Sequence, residues 1–154
     1  NISDGGIATV VGLISILNGI GRLIFGAVFD KKGYRLTMIV VMVIFVAAAL
    51  CLILALMSGQ FLLIILGFMI GGLAYGGVMP TNSAIISDFF GRTNYAMNYS
   101  LINTNLIIAS VASTIAGRLY DISQSYMSTM VMLLCLIIVG FAVFFGVRRP
   151  QSKR

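Results

Sequence analysis

Few residues in this chain could do chemistry, and the most informative of them stand close together. Arg22 lies well inside the apolar run that begins at Ile7, and that run closes on a short charged turn, Asp30-Lys31-Lys32-Gly33-Tyr34-Arg35. A cation held in hydrocarbon costs roughly 2.5–3.5 kcal/mol on insertion scales, so such residues mark function more often than filler. The planar guanidinium fork can hold a carboxylate through two parallel hydrogen bonds. The chemistry on offer is recognition of an anion rather than bond making. Histidine is absent, and Cys51 and Cys135 stand alone in apolar runs. This inventory excludes a zinc site, a Cys-x-x-Cys pair and a triad with histidine as base. No metal or other cofactor is expected, and no enzyme activity, because no nucleophile–base pair lies within the apolar runs.

On a helix, Gly12, Ser15, Gly19, Arg22 and Gly26 follow alternating steps of three and four and draw one seam. Small residues let a neighbouring helix come close. Asn18, one turn before Arg22, lies beside it. Arg22 is therefore expected to point into a bundle or a wet cavity. The competing reading is that it snorkels to the headgroups or pairs structurally. It precedes Asp30 by eight residues, about 12 Å along a helix, which is long for snorkelling.

Further along, Gly67/Gly71, Gly72/Gly76, Gly77 and Pro80 read as close helix packing with a proline kink. A bent, glycine-rich helix could also rock and expose backbone to substrate. No Lys-Ser/Thr follows, so a phosphate loop is excluded. Tyr75 and Asn82 are seven apart and share a face, where both could line a cavity. The next stretch is the most polar: Asn98, Ser100, Asn103, Thr104, Asn105, Ser110, Ser113 and Thr114. These either bond across helices or line an aqueous path; Asn98 and Asn105, seven apart, would face one way. No Asp or Glu lies inside a span, so no intramembrane proton acceptor is evident.

These residues must be positioned by membrane helices. The 154 residues are 60% hydrophobic and only 9% charged, against about 25% charged in soluble domains. Five apolar spans reach the ~20 residues a crossing helix needs: about Ile7–Phe29, Leu36–Met57, Phe61–Ile86, Tyr95–Gly117 and Met127–Val147. The runs lack the period-2 alternation of a membrane barrel, so the fold expected is an all-α membrane bundle. The second and fifth spans, poor in polar residues, read as outer, lipid-facing helices. Lys31, Lys32, Arg35, Arg92, Arg148, Arg149, Lys153 and Arg154 fall on one side and Arg118 alone on the other. The positive-inside rule then puts the N-terminus outside and the C-terminus in the cytoplasm. The net charge of +6 is thereby spent beside anionic lipid headgroups, with no nucleic-acid partner implied. Residues 1–147 are expected to be a partial six-helix bundle lacking its first helix, and residues 148–154 a cytoplasmic basic tail. No cleavable signal is expected at the start.

Gly26-Ala27-Val28-Phe29-Asp30-Lys31-Lys32-Gly33-Tyr34-Arg35 resembles the signature loop of the major facilitator superfamily, Gly-x-x-x-Asp-Arg/Lys-x-Gly-x-Arg/Lys-Arg/Lys, with Leu36 in the last basic position. Two further stretches extend the likeness. One is Asn18-Gly19-Ile20-Gly21-Arg22-Leu23. The other runs from Tyr75-Gly76-Gly77 through Pro80 to Ile86-Ser87-Asp88-Phe89-Phe90-Gly91-Arg92 and then Asn98-Tyr99. Together they are similar to the oxalate/formate antiporter family and its monocarboxylate-transporter relatives. The resemblance implies helices eight to twelve of a carrier that moves small organic anions by alternating access, through exchange or symport, in the plasma (inner) membrane. Its partners would be the bilayer, the anion and the N-terminal half of the same chain. It implies substrate contact by Arg22, with Asn18, Tyr75, Asn82 and Asn105 around it. It also implies a conformational gate at Gly26, Asp30, Lys31, Gly33, Arg35, Asp88 and Arg92. The oxalate carrier's second cation, a lysine, corresponds to Asn105 here, so a monocarboxylate such as formate, lactate or pyruvate fits the charge better than a dianion. Two alternatives stand: a drug or sugar carrier of the same fold with a structural Arg22, and a non-transporting membrane sensor or assembly subunit.

Overall fold

The computed structural model describes residues 4–147, so the basic tail expected at 148–154 lies outside the described residues. The all-α architecture is as expected, with no strand among the described residues. Five helices follow one another: α1 (Asp4–Ser58), α2 (Phe61–Phe90), α3 (Tyr95–Asn103), α4 (Asn105–Ser123) and α5 (Tyr126–Gly146). The chain divides into two compact units, the first ending at Thr81 and the second beginning at Asn82.

α1 holds 55 residues, about 80 Å of ideal helix against a hydrocarbon core of about 30 Å. It spans by breaking at Gly33, where φ is 76° and ψ is 177°, a conformation open essentially to glycine alone. Two arms result, residues 4–32 and 34–58. The charged turn is thus tighter than a five-residue link: Lys31 and Lys32 remain helical and one glycine makes the break.

Both arms lie against α2. A Cβ placed on Gly72 would meet Ile14, on Gly76 the Asn18 carbonyl, and on Gly77 the Phe25 ring. Contacts that climb together mean the first arm runs parallel to α2. Gly67 faces Leu52, Gly71 faces Ala48 and Gly77 faces Val41, so the second arm runs antiparallel to it. The paired glycines act as expected of a packing motif, letting backbones approach.

The second arm buries one face against α2 and leaves Val43, Leu50, Leu54 and Met57 exposed on the other. Thr37, Val41, Ala48, Ala49, Leu52 and Ala55 are all buried. Its alanines look lipid-compatible by hydropathy, yet their size is what seats them against the glycines of α2. Cys51 packs there too, its thiol 3.4 Å from the Leu63 carbonyl oxygen.

In the second unit, α2 continues past Ile86 to Phe90 and ends in a glycine cap. Gly91 has φ 73°, and its amide donates to the Ser87 carbonyl at 3.1 Å. The polar span expected at about Tyr95–Gly117 is present as one stretch long and apolar enough to cross a membrane, Tyr95–Ser123, with a local irregularity at Thr104 where α3 meets α4. The Thr104 amide donates to the Leu101 carbonyl three residues back at 3.3 Å, and its hydroxyl takes the same carbonyl at 2.7 Å, a local tightening of the 3₁₀ kind. α4 then runs beyond Arg118 to Ser123. A turn through Gln124, at φ 50°, leads to Ser125, whose side chain accepts the Met127 amide and caps α5. Thr129 donates to the Ala116 carbonyl at 3.3 Å and the Tyr120 and Tyr126 rings stack at 4.3 Å, so α4 and α5 form an antiparallel pair. No residue of α3 or α4 is buried.

Candidate anion-binding site

Arg22 follows Gly21, where the first arm crosses α2. A Cβ on Gly21 would collide with the Leu73 carbonyl, and one on Gly76 with the Asn18 carbonyl while standing 3.1 Å from the Gly21 Cα. Both obstacles are backbone, so neither position has room for a side chain. The two helices touch main chain to main chain, at a separation that permits Cα–H···O contacts. That crossing fixes the turn that carries Asn18 and Arg22.

The Arg22 Nε donates to the Asn18 Oδ1 at 3.4 Å, as the one-turn spacing suggested. The guanidinium is therefore drawn toward the start of the helix, away from the basic turn that a snorkelling side chain would seek. Arg22 is exposed, and this bond uses one of the five N–H donors of the group. The remaining fork is available to a planar anion.

The seam around Arg22 finds no neighbour among the described residues of the first unit. Gly12, Gly19 and Gly26 have nothing within 4 Å of a Cβ built on them, and Ser15 satisfies its hydroxyl on the Val11 carbonyl of its own helix at 3.0 Å. Within the first unit no helix approaches this face, so Arg22 looks out from the unit rather than into it. The reason is that the first arm has two faces of small residues, and α2 occupies the one bearing Gly21, flanked by Ile14 and Phe25.

Tyr75 precedes Gly76 and is 46% exposed. In a parallel helix pair, the residue before the contact on one helix and the residue after it on the other emerge on the same side. The crossing thus sets Tyr75 and Arg22 on one side of the pair. Asn82 is half-buried on α2, and Asn105 is exposed as the first residue of α4; both belong to the second unit. Asn98 lies on α3 and Asn105 on α4, on either side of the tightening at Thr104.

Three hydroxyls of the polar stretch bond within their own helix among the described residues. Ser100, Ser110 and Thr114 donate to carbonyls four residues back, at 2.9, 2.9 and 3.2 Å. In the signature stretch Gly33 takes the backbone form only glycine allows, while Asp30, Lys31 and Arg35 are exposed. Arg35 donates from Nε to the Tyr34 hydroxyl at 3.2 Å. Gly26 is half-buried with open space beyond its Cα. Asp88 is exposed near the end of α2, and Arg92 is exposed just after it. Three roles are not evident from the sequence: the backbone contact at Gly21 and the burial of Thr37 and Thr81. The sequence does set Gly21 four residues from Phe25 and seven from Ile14, on one helical face.

An open apolar groove of about 350 Å³ lies between the first turns of α1 and α2, lined by Ile7, Val10, Val11, Ile14, Phe61, Ile64, Ile65 and Phe68. With only hydrocarbon on its walls it offers no hydrogen-bond partner to a carboxylate.

These features can be set beside known proteins. The model of the Major Facilitator Superfamily matches residues 1–154, and the chain belongs to that superfamily. It is thus part of an integral, multi-pass membrane protein of a transporter family. It is similar to Multidrug resistance protein D of Escherichia coli (strain K12), 28% identical over 137 residues, which are 88% of this chain and 34% of the relative. The chain therefore spans about a third of the length of the curated relative it matches. No solved structure matches it.

Proposed function

We propose that this chain is part of a secondary carrier that moves small organic anions by alternating access, with Arg22 as the group that binds the anion. The observation that supports it is the geometry of that one side chain. Arg22 is mid-span, fixed beside a glycine–glycine crossing, hydrogen-bonded away from the basic turn and open on a face that no helix of its unit covers. A guanidinium within an apolar run that forms no ion pair with a carboxylate among the described residues of its unit calls for another anion, and a substrate carboxylate meets that need. Asn18 orients the fork and Tyr75 supplies a wall and a hydroxyl on the same side. Asn82 and Asn105 are proposed as further polar contacts along the path. One cation favours a monocarboxylate over oxalate. In this reading Gly26, Asp30, Lys31, Gly33, Arg35, Asp88 and Arg92 form a cytoplasmic gate, and the N-terminal half of the carrier faces the open seam. The setting is the plasma membrane, with Asn1 outside.

A second reading, a drug carrier, draws on the name of the E. coli relative and on the apolar groove. The two separate on one experiment. Full-length transporter carrying this segment is reconstituted in proteoliposomes and assayed for labelled lactate, formate and oxalate, and for a lipophilic cation. Anion uptake abolished by Arg22→Gln, and poorly restored by Arg22→Lys, supports the carboxylate reading. Cation flux unaffected by either change, with no anion uptake by wild type, overturns it. Exchange of oxalate as fast as lactate would sink the monocarboxylate preference alone.

A further inference from the structure

Two threonines stand out among buried residues that are otherwise hydrocarbon or glycine. Thr37 is fully buried and Thr81 is 1% exposed. Thr37 donates its hydroxyl to the carbonyl of Gly33, the broken residue of α1, at 2.8 Å. Thr81 Oγ1 has no hydrogen-bond partner although it is buried. A hydroxyl without a partner in an apolar interior is a standing penalty, rare enough in native proteins to require a cause.

The packing register says what lies opposite. The second arm and α2 run antiparallel, with Leu52 facing Gly67, Ala48 facing Gly71 and Val41 facing Gly77. Four residues further in each direction the same register sets Thr37 against Thr81. Thr37 uses its proton on Gly33 but keeps lone pairs, so it can accept what Thr81 has to give. Each threonine also sits at a joint. Thr37 is tied to the glycine break between the arms, and Thr81 follows Pro80, which denies α2 one backbone hydrogen bond and weakens the helix there.

We propose that Thr37 and Thr81 form a conformational detent, in which the Thr81 hydroxyl lacks a partner in the arrangement seen here and bonds to Thr37 Oγ1 when α2 bends at Pro80 toward the second arm. The unpaired hydroxyl raises the free energy of the present arrangement. Its pairing lowers that of the bent one, which brings the two states closer in energy and eases exchange between them. The device depends on no particular substrate.

The test uses the full-length transporter in detergent and in liposomes, with Thr81→Val, Thr37→Val and the double variant. Valine keeps the shape of threonine and deletes the hydroxyl. Thr81→Val is expected to raise the melting temperature by about 2 °C or more. It should also slow hydrogen–deuterium exchange across residues 76–81 severalfold and slow opening, read as the rate of thiol labelling of a cysteine placed at Gly19. In the Thr37→Val background the same change should lose most of its effect on labelling rate, because the partner is gone. Lower stability for Thr81→Val overturns the proposal, since the hydroxyl is then satisfied in the resting state. An effect of Thr81→Val on labelling rate that is the same with and without Thr37 also overturns it, because Thr37 is then not the partner that the bent state supplies. None of these readouts requires a known substrate, so failure here leaves the anion-carrier reading where it stands, and failure of that reading leaves this one intact.

Discussion

The two arms of α1 have similar length and are both strongly apolar, yet they are used in opposite ways. The second arm is the filling of the first unit: six of its residues are buried, and each glycine of α2 that faces it meets a side chain. The first arm gives one face to α2 and leaves the other bare, with Phe25 as its one large buried side chain. Arg22 stands on the border of the bare face. Apolar composition therefore does not distinguish a helix that builds the unit from one that presents a site. What distinguishes them is how glycines are matched. Gly21 and Gly76 meet each other, while Gly12, Gly19 and Gly26 meet nothing in this unit.

The largest effect should come from filling the matched crossing. Gly76→Leu would drive a branched side chain into the Asn18 backbone, which cannot shift without parting the helices. The cost should exceed the roughly 1–3 kcal/mol of ordinary overpacking. The expected result is aggregated or degraded protein, seen as loss of the monodisperse peak on size exclusion in detergent. A well-folded Gly76→Leu protein would break the comparison outright.

Next comes Arg22→Gln, which should leave that peak unchanged and reduce anion uptake. Charge-assisted hydrogen bonds contribute about 1.5–3 kcal/mol, so initial rates at low substrate should fall about 10- to 100-fold. Loss of folding instead of transport would mean that the first arm builds the unit as the second does.

Gly33→Ala sharpens the contrast at the joint between the arms. A positive φ of 76° costs a side chain about 1–3 kcal/mol, which should appear as a lower melting temperature with transport partly retained.

The smallest effect belongs to the bare face. Gly19→Ala adds a methyl group to open space, so the stability of the protein should change by about 0.5 kcal/mol or less. A large destabilisation would show that another helix of the full-length carrier closes against the seam, and would locate its point of contact.

Some of this could be read from the residues alone. Low charge and long apolar runs force a helical membrane protein, because hydrocarbon leaves the backbone no other way to satisfy its amides. The Gly33 turn, the packing use of Gly67, Gly71, Gly72 and Gly76, and the closeness of Asn18 to Arg22 follow from local geometry and helical spacing. Other features were decided only by tertiary packing. A helical period tells which residues share a face and not which face another helix will take, so the contact of Gly21 with Gly76 and the open space beside Gly12, Gly19 and Gly26 within this unit are legible only in the structure. Hydropathy scores alanine as lipid-compatible and cannot weigh its fit against a glycine, so the contact of Ala48 with Gly71 is legible only in the structure. The tightening at Thr104 within the polar span is likewise visible only in the structure, because a backbone that shifts by one hydrogen bond leaves no mark in composition.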